Sequence, residues 1–518
     1  MLCVAAAVLL FGLYTWGISQ NPPGFYLDES VTAYNAYLVS RTGAGEAGPR
    51  FPILFQEYAA KNVNYYINPL TIYLLAIVFR FLPPSILLAR IFAAFWMFAA
   101  SLLLGVLAKR ISGQLRIGII VAATALLTPW LVEIGRLVWD AHFSAFPVVV
   151  FLLAAYRIQS KERWNWKDIL IVAGSLAVLT YGYFAGRVLA SLYALGLILF
   201  ATTKHRLVGV IKTWLAYGVT LVPLVLFNRA HSGVLTQRLW DVTYIRADAP
   251  WKDIPSEFAQ FVRCYLQDQS LTPLLIMGDP QGRHHVEGSG GAMLCATFIL
   301  AMAGLLLVIA RRRDPWWRFV LYGLAASIVP GAITDWPFHE LRLMGYPVFL
   351  LVLTIPALEW LLAPDEPKQG ARGTCEQAHG GEPDHAAVVG HSLWRPIRLG
   401  ILGILLAATV AQAIDFQVIF RREGPKREYE FDVPYKPLYN RAVARPERPI
   451  YLENGQWGPA YMHAFWYATV EGRPLSEFVC LPDGGKPPSG GIVLSSNSDC
   501  QNCDVIQKSG VYLLYRGK

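Results

Sequence analysis

Long apolar stretches separated by short polar segments make up most of this chain. Twelve of them approach the length of about 20 apolar residues that a helix needs to cross the hydrocarbon layer. They lie near 2–20, 66–82, 86–108, 117–132, 141–156, 169–186, 188–203, 213–228, 290–310, 319–334, 343–363 and 399–414. The pattern predicts an all-α polytopic membrane domain over residues 1–418.

A different pattern begins near residue 419. Short apolar runs such as "GIVLSS" (491–496) and "GVYLLYR" (510–516) alternate with turns rich in Pro and Gly. Runs bounded in this way are typical of strands, so we predict a small α/β domain over 419–518. Residues 365–394 are rich in Gly, His and charge, and we expect them to form a flexible cytoplasmic loop.

Composition supports the membrane prediction. The 518 residues are 54% hydrophobic and 16% charged, with a mean hydropathy of +0.38, which is more apolar surface than a soluble fold could bury. The first segment lacks the basic start of a signal peptide, and Gln20-Asn21-Pro22-Pro23 after it is no small-residue cleavage site. We therefore expect this segment to be a retained span.

Basic residues indicate the topology. They follow the odd-numbered segments from the third onward, in the loops near 109–116, 161–167, 204–212, 311–313 and 364–397. By the positive-inside rule these loops are cytoplasmic. The outer loop 229–289 and the tail from 419 then lie on the opposite, extracytoplasmic face. Loop 1 (21–65) lies on this same face if segment 66–82 does not cross the membrane on its own. The resulting topology predicts eleven to thirteen transmembrane helices.

The net charge of +9 is not a nucleic-acid signal. Most of the basic residues lie at loop edges, where topology and anionic lipid headgroups account for them. In the outer tail, Cys500 and Cys503 have C-x-x-C spacing. A disulfide can form on that face, whereas a zinc site would need a second cysteine pair or a nearby His.

Ionisable residues collect on the predicted outer face. Asp28 and Glu29 directly follow the charge-free stretch from Leu2 to Leu27. The other candidates are Glu57, Lys61, Arg136, Asp140, Arg187, Asp279, Arg283, His284, His285, His339, Glu340 and Arg342. Each alone has an ordinary explanation, since Arg and Lys at helix ends reach headgroups and Asp caps helices. Their coincidence on one face indicates a functional site, because ionisable groups at membrane depth are costly.

Several short motifs appear in a characteristic order. They are "LDES" after the first span, "R-F-P" (50–52), "Y-Y-I-N-P-L" (65–70), "GR-x-x-x-D" (135–140), "YGYFAGR" (181–187) and "FHELR" (338–342). Over roughly residues 1–360 this set resembles the GT-C membrane glycosyltransferases, especially the bacterial relatives of protein O-mannosyltransferase and of the aminoarabinose transferase that modifies lipid A. The resemblance implies a GT-C fold in a bacterial-type inner membrane, with the active site on the extracytoplasmic face.

The resemblance also implies a reaction. Family members move a sugar from a polyprenyl-phosphate carrier to a glycan, lipid or protein acceptor. The acceptor hydroxyl needs a carboxylate to take its proton, and Asp28 matches the family's loop-1 acid, so the resemblance makes it the general base. Glu29 either takes part directly or orients Asp28 and caps the helix. Asp140 matches a second acid that binds the sugar or assists the base.

The leaving phosphate requires cations. Candidates for binding it or the rest of the substrate are Arg136, Arg187, Arg342, His339 and Lys61. Some relatives place a His that helps to hold a divalent metal where His284 and His285 lie, with Glu57 as a partner. The aminoarabinose-transferase subgroup has Glu-Lys where this chain has Ile67-Asn68, which weakens any transfer of its metal site and its lipid A acceptor.

Other functions are compatible with a polytopic chain. A secondary transporter or a flippase for lipid-linked sugars would typically show repeated halves with broken helices, and the sequence has no convincing internal repeat. A non-catalytic polysaccharide-assembly protein could bind glycan through residues 419–518 and would not need Asp28. An oligosaccharide ligase could share the GT-C fold and would differ in the size of its donor.

Overall fold

The computed structural model describes residues 2–59, 65–246, 253–364, 394–455, 458–500 and 503–518. Lys61 and nearly all of the predicted flexible loop 365–394 lie outside these residues. The α-helices are α1 (Leu2–Tyr14), α2 (Leu27–Thr42), α3 (Pro69–Phe81), α4 (Ile86–Ser112), α5 (Leu115–Leu127), α6 (Pro129–Ile134), α7 (Ala145–Gln159), α8 (Trp166–Gly182), α9 (Phe184–Gly196), α10 (Lys204–Ala230), α11 (Val234–Trp240), α12 (Ile254–Gln267), α13 (Cys295–Ala310), α14 (Pro315–Ala326), α15 (Val329–Ala332), α16 (Gly345–Leu362), α17 (Trp394–Glu423), α18 (Tyr435–Val443) and α19 (Tyr461–Glu471). The strands are β1 (Phe55–Gln56), β2 (Tyr66–Ile67), β3 (Ile450–Glu453), β4 (Phe478–Cys480), β5 (Ile492–Ser495), β6 (Cys503–Ser509) and β7 (Tyr512–Gly517).

The helices form a bundle whose long members suit a membrane. Five of them have the length and apolar composition to cross one, and five shorter apolar helices accompany them. On α10 the apolar side chains of Leu215, Val219 and Leu226 are exposed, as expected for a surface that faces lipid instead of water. The predicted polytopic α-helical fold is therefore confirmed, while the count of eleven to thirteen crossings stays a prediction.

The core of the bundle is built around α16. This helix is apolar on every side, and every side chain from Gly345 to Leu358 is buried, because a helix without a polar face gains by contacting other helices all round. Helix α13 packs closely against it. A side chain at Gly304 on α13 would collide with the Leu353 carbonyl oxygen, so glycine allows the two backbones to approach.

The C-terminal domain has the predicted mixture of helix and sheet. Its five strands are ordered β4-β3-β5-β7-β6, with β3 parallel to β4 and β5, and with β7 antiparallel to β5 and β6. Helices α18 and α19 supply the apolar side chains that cover one face of this sheet. Cys500 and Cys503 form a disulfide, the pairing that an outer location allows. The α/β fold class of this domain is confirmed.

Helix α2 lies between the bundle and the C-terminal domain. Every residue from Glu29 to Ala36 is buried, because α3 and α19 both pack against α2.

An ion pair fixes the first turn of α2. The Glu29 carboxylate lies 2.9 Å from Nη2 and 3.2 Å from Nε of Arg90 on α4. It also accepts hydrogen bonds from the backbone N–H groups of Tyr26, at 3.0 Å, and Val138, at 3.2 Å. Both charged side chains are fully buried, so each depends on the other for neutralisation.

We expect Arg90→Met to destabilise the protein by about 3–5 kcal/mol, because it leaves the Glu29 charge buried without a partner. The double variant Glu29→Gln/Arg90→Met should recover part of the lost stability, because it removes the unpaired buried charge. The recovery should be partial, since the single amide oxygen of glutamine replaces two carboxylate oxygens that each accept a backbone N–H. Chemical unfolding in mixed micelles, followed by circular dichroism, measures both. The control is Arg311→Met, which breaks a half-exposed pair with Glu359 and should cost less than about 1 kcal/mol. Equal losses for Arg90→Met and Arg311→Met would contradict the assignment.

Candidate active site

A cavity of about 280 Å³ opens beside the first turn of α2. Its walls come from loop 1, from the segment between α6 and α7, from the start of α9, from α11, and from the loops that precede α13 and α16. The charged and histidine side chains that line it are Asp28, Glu57, Asp140, Arg187, Arg238, Arg283, His284, His339 and Arg342. Segments far apart in sequence thus bring acids, arginines and histidines to one space.

Most of the predicted site residues lie in this cavity. They are Asp28, Glu57, Asp140, Arg187, His284, His339 and Arg342. Glu29, Arg136 and His285 do not line it, and Lys61 lies outside the described residues.

Asp28 projects from the first turn of α2 and is the acid next to the ion-paired Glu29. Burial raises the pKa of the Asp28 carboxyl above its ordinary value, and Arg283 and Arg238 oppose that shift. Nearby Asp432 and Glu29 raise the pKa further. A carboxylate with a raised pKa takes up a proton more readily than an ordinary aspartate does, which suits a general base.

Asn68 connects the second acid to an arginine. Its Nδ2 donates to Oδ2 of Asp140 at 2.9 Å, and its Oδ1 accepts from Nη2 of Arg187 at 2.8 Å. Burial raises the pKa of Asp140 to about 6, although the hydrogen bonds from Asn68 lower it. Asn68 therefore orients both side chains. In the sequence it belongs to "Y-Y-I-N-P-L" (65–70) and departs from the Glu-Lys pattern of one subgroup, and neither feature indicates this bridging role.

Two arginines complete the positive side of the cavity. Arg283 stacks on the Tyr26 ring at 4.3 Å and lies 3.9 Å from Glu430 of the C-terminal domain. Burial lowers the pKa of Arg238 on α11, but the charges of Glu57 and Asp28 outweigh this and the pKa is raised. Arg283 is next to the predicted histidine pair in the sequence. Arg238 belongs to none of the sequence motifs, and it was not predicted as a site residue.

Arg342 also lines the cavity. Its Nη1 donates to Oγ1 of Thr334 at 2.7 Å. With Arg187, Arg238 and Arg283 it makes a set of four cations that share one cavity with three carboxylates. This arrangement can bind an anionic group and still offer a base to a neighbouring hydroxyl.

Three buried side chains are placed to hold a metal ion. Asp279, His284 and His339 each offer a ligand atom, and these atoms lie within 4.8 Å of one another. Nδ1 of His284 lies 2.7 Å from Oδ2 of Asp279, which leaves the other ring nitrogen available. Nδ1 of His339 is buried and has no hydrogen-bond partner among the described residues. Burial, followed by the charges of His284, Arg342 and Arg283, lowers the pKa of His339, and the neutral ring can ligate a cation.

This trio differs from the predicted set of Glu57, His284 and His285. Nδ1 of His285 lies 2.6 Å from Oε2 of Glu133, and Nε2 lies 2.9 Å from the Gly290 carbonyl oxygen. His285 is thus occupied outside the cavity. Glu57 lines the cavity, but within the described chain it does not join a cluster of potential ligands. Asp279, which precedes the histidines by a few residues, takes its place.

Two further predicted residues have structural contacts instead of cavity positions. Glu29 is fully buried against Arg90 and does not line the cavity. This placement favours its alternative role of orienting Asp28. Arg136 donates to the carbonyl oxygens of Asn21, Tyr14 and Trp16 at 3.0–3.2 Å. These bonds join Arg136 to the end of the first helix and to the segment after it, and its predicted role in binding phosphate stays a prediction.

Known proteins were compared with the chain by sequence and by structure. No protein-family model matches it, and no curated protein matches it. Crystal structures of ArnT from Cupriavidus metallidurans, in the apo state and bound to undecaprenyl phosphate, both superpose with a TM-score of 0.57 at 11% identity. Each alignment covers 99% of this chain and 97% of the ArnT chain.

A second similar structure is the oligosaccharyltransferase AglB from Archaeoglobus fulgidus, in complex with an inhibitory peptide and a dolichol-phosphate. It has a TM-score of 0.49 and 12% identity over 90% of this chain and 63% of AglB. The fold expected from the ordered sequence motifs is confirmed by the full-length match to ArnT. This protein is a polytopic α-helical membrane protein with the GT-C fold.

Proposed function

We propose that this protein is a membrane glycosyltransferase that moves a sugar from a polyprenyl-phosphate carrier to the hydroxyl group of an acceptor. The observation that carries the proposal is the single cavity in which Asp28 lies among four arginines. The fold adds support, because ArnT shares it over the full chain and one ArnT structure is bound to undecaprenyl phosphate.

In the proposed reaction the acceptor oxygen attacks the anomeric carbon of the sugar. The bond between that carbon and the phosphate oxygen breaks, and the lipid phosphate leaves with the electron pair. Asp28 takes the proton from the acceptor hydroxyl, since a hydroxyl is a weak nucleophile at neutral pH. The raised pKa of Asp28 strengthens it for this step.

The arginines are suited to the leaving phosphate. A guanidinium binds phosphate oxygens with two parallel hydrogen bonds and keeps its charge throughout. The charges of Arg283 and Arg238 lower the pKa of Asp28, and both side chains line the cavity with it. We assign these two and Arg342 to the phosphate, and we assign the Asp140–Asn68–Arg187 group to the sugar hydroxyls.

The trio of Asp279, His284 and His339 would hold a divalent cation at the same cavity. A bound cation would supply further positive charge for phosphate oxygens. Asp279 also accepts the backbone N–H of Glu340 at 2.8 Å. Because Asp279 also contacts Nδ1 of His284, it links the turn that carries His339 to the loop that carries His284. This link sets the spacing of the two imidazole rings.

The location of the charged groups favours an enzyme over a transporter. Asp28, Arg187 and Arg238 lie in helix first turns or in a short helix, and Asp140, Arg283 and Arg342 lie in connecting segments. Transporter sites typically lie at broken helices near the bilayer midplane. We propose that the cavity lies at the extracytoplasmic face of a bacterial-type inner membrane, with a glycan, lipid or protein as acceptor.

Replacement of the proposed base tests the central claim. Asp28→Asn should lower the rate of sugar transfer by about 10²–10⁴-fold, the usual contribution of a general base. The measurement supplies labelled polyprenyl-phosphate sugars to the purified protein in lipid. Asp504→Asn, an exposed acid on the C-terminal sheet, is the control and should match wild type. Equal transfer by Asp28→Asn and wild type would refute the assignment.

The pH dependence of transfer should report the environment of Asp28. The base acts only when it is deprotonated, so activity should fall as pH drops through its raised pKa. Arg283 lowers the pKa of Asp28, so Arg283→Gln should raise that pKa and move the acidic limb of the kcat profile to higher pH. Arg311→Gln, remote and exposed, should leave the limb in place. A limb that stays fixed in Arg283→Gln would contradict this electrostatic coupling.

Metal binding can be measured without activity. Purified protein loaded with Zn²⁺ or Mn²⁺ and then freed of excess metal should retain about one ion per chain by mass spectrometry. His339→Ala and His284→Ala should both lose it, because each removes a ligand from a small cluster. His205→Ala changes an exposed histidine at the start of α10 and should retain the metal. Retention by all three variants would show that any bound metal lies elsewhere.

A further inference from the structure

The C-terminal domain contacts the helical turn that carries Asp28. Oδ2 of Asp432 accepts the backbone N–H of Leu27 at 3.0 Å. Oγ of Ser30 lies 2.9 Å from Nδ1 of His463 on α19, and Nε2 of His463 lies 3.2 Å from the same Asp432 oxygen. Ser30 and His463 are fully buried, and Asp432 is nearly so. The contacts thus reach the residues on both sides of Asp28 and Glu29.

The hydrogen-bond directions in this cluster are determined by its carboxylate. The Asp432 carboxylate accepts, so Nε2 of His463 donates to it, and in the neutral ring Nδ1 then accepts the Ser30 hydroxyl proton. The second carboxylate oxygen of Asp432 accepts the Tyr512 hydroxyl at 2.6 Å. Asp432 is therefore held by the sheet strand β7 and in turn holds both α2 and α19.

A serine, a histidine and an aspartate in this order resemble a nucleophilic triad, but the surroundings exclude that reading. Oγ of Ser30 lies in a side chain with no exposed surface, and Ser30 is not among the residues that line the cavity. A nucleophile must reach its substrate. The cluster therefore acts on α2 itself.

The first turn of α2 is thus held both by the helical bundle and by the C-terminal domain. The bundle holds Glu29 through Arg90, and the C-terminal domain holds Leu27 and Ser30. The preceding backbone is attached as well, because the N–H of Phe25 donates to the Phe431 carbonyl oxygen at 3.1 Å. Asp28 lies between these attachments, and its side chain faces the cavity.

We propose that Asp432 and His463 are positioning residues for Asp28, and that the C-terminal domain is a working part of the active site. This inference rests on the proposed function, in which Asp28 is the base. A base must be held within a fraction of an ångström of its productive geometry. The cluster supplies part of that constraint from the C-terminal domain.

Kinetics of the full-length protein in lipid provide the first test. Ser30→Ala and Asp432→Asn each remove part of the cluster, and asparagine tolerates the positive φ of 52° at position 432. Each should lower kcat for transfer by about 10- to 100-fold with the donor KM within about twofold of wild type. Tyr515→Phe removes a buried bond to Glu453 in the same domain without contact to α2, and should leave kcat unchanged.

The dependence on Asp28 separates positioning from general damage. In an Asp28→Asn background, Ser30→Ala should lower the residual rate no further, because there is no base left to position. A kcat near the wild-type value in the single variants would overturn the proposal. A loss of the same size in the Asp28→Asn background would overturn it too, since the effect would not pass through Asp28.

Hydrogen exchange provides a readout that does not require transfer. The amides of residues 26–30 should exchange at least about tenfold faster in Ser30→Ala and Asp432→Asn than in wild type or Tyr515→Phe, because the turn opens more often. Unchanged exchange would overturn the proposal. If wild type transferred sugar from no donor, the proposed function would fail, and the exchange rates alone would decide whether the domain holds this turn.

Discussion

The ion pair between Glu29 and Arg90 is the interaction on which the active-site side of this molecule depends. Two charges without exposed surface persist only if each neutralises the other and if the remaining hydrogen-bonding capacity is used. Glu29 meets both conditions, because it also accepts the N–H groups of Tyr26 and Val138. One carboxylate thereby joins loop 1, α4 and the segment that leads to Asp140, which sets the frame of the cavity.

The requirement that buried polar groups find partners also applies to the other charged residues near the cavity. Both Nη atoms of Arg136 donate to carbonyl oxygens, and the two ring nitrogens of His285 contact Glu133 and Gly290. His339 lies at the cavity wall, and its Nδ1 has no hydrogen-bond partner in the described part of the chain. A buried polar atom without a partner is costly, and a ligand bound at this wall would supply one.

Much of the architecture could be predicted from the sequence, since apolar periodicity and length decide which segments become helices in lipid. Asp28, Asp140 and Arg187 could be located because they belong to short motifs beside helix ends. Arg238 and the bridging role of Asn68 could not, since both depend on contacts between distant segments. Asn68 meets Asp140 across 72 positions and Arg187 across 119, and no local pattern records such pairings. The sequence leaves the role of Glu29 open for the same reason.

The bond between Leu27 and Asp432 spans 405 positions of the chain. A ribosome adding about 5–20 residues per second needs roughly 20–80 s to make that much polypeptide. The turn that carries Asp28 is thus synthesised well before the carboxylate that secures it. A chain that ends before Asp432 would have its membrane helices without this contact to the turn. In terms of the proposed function, the base would be held in place only once the C-terminal domain has been made.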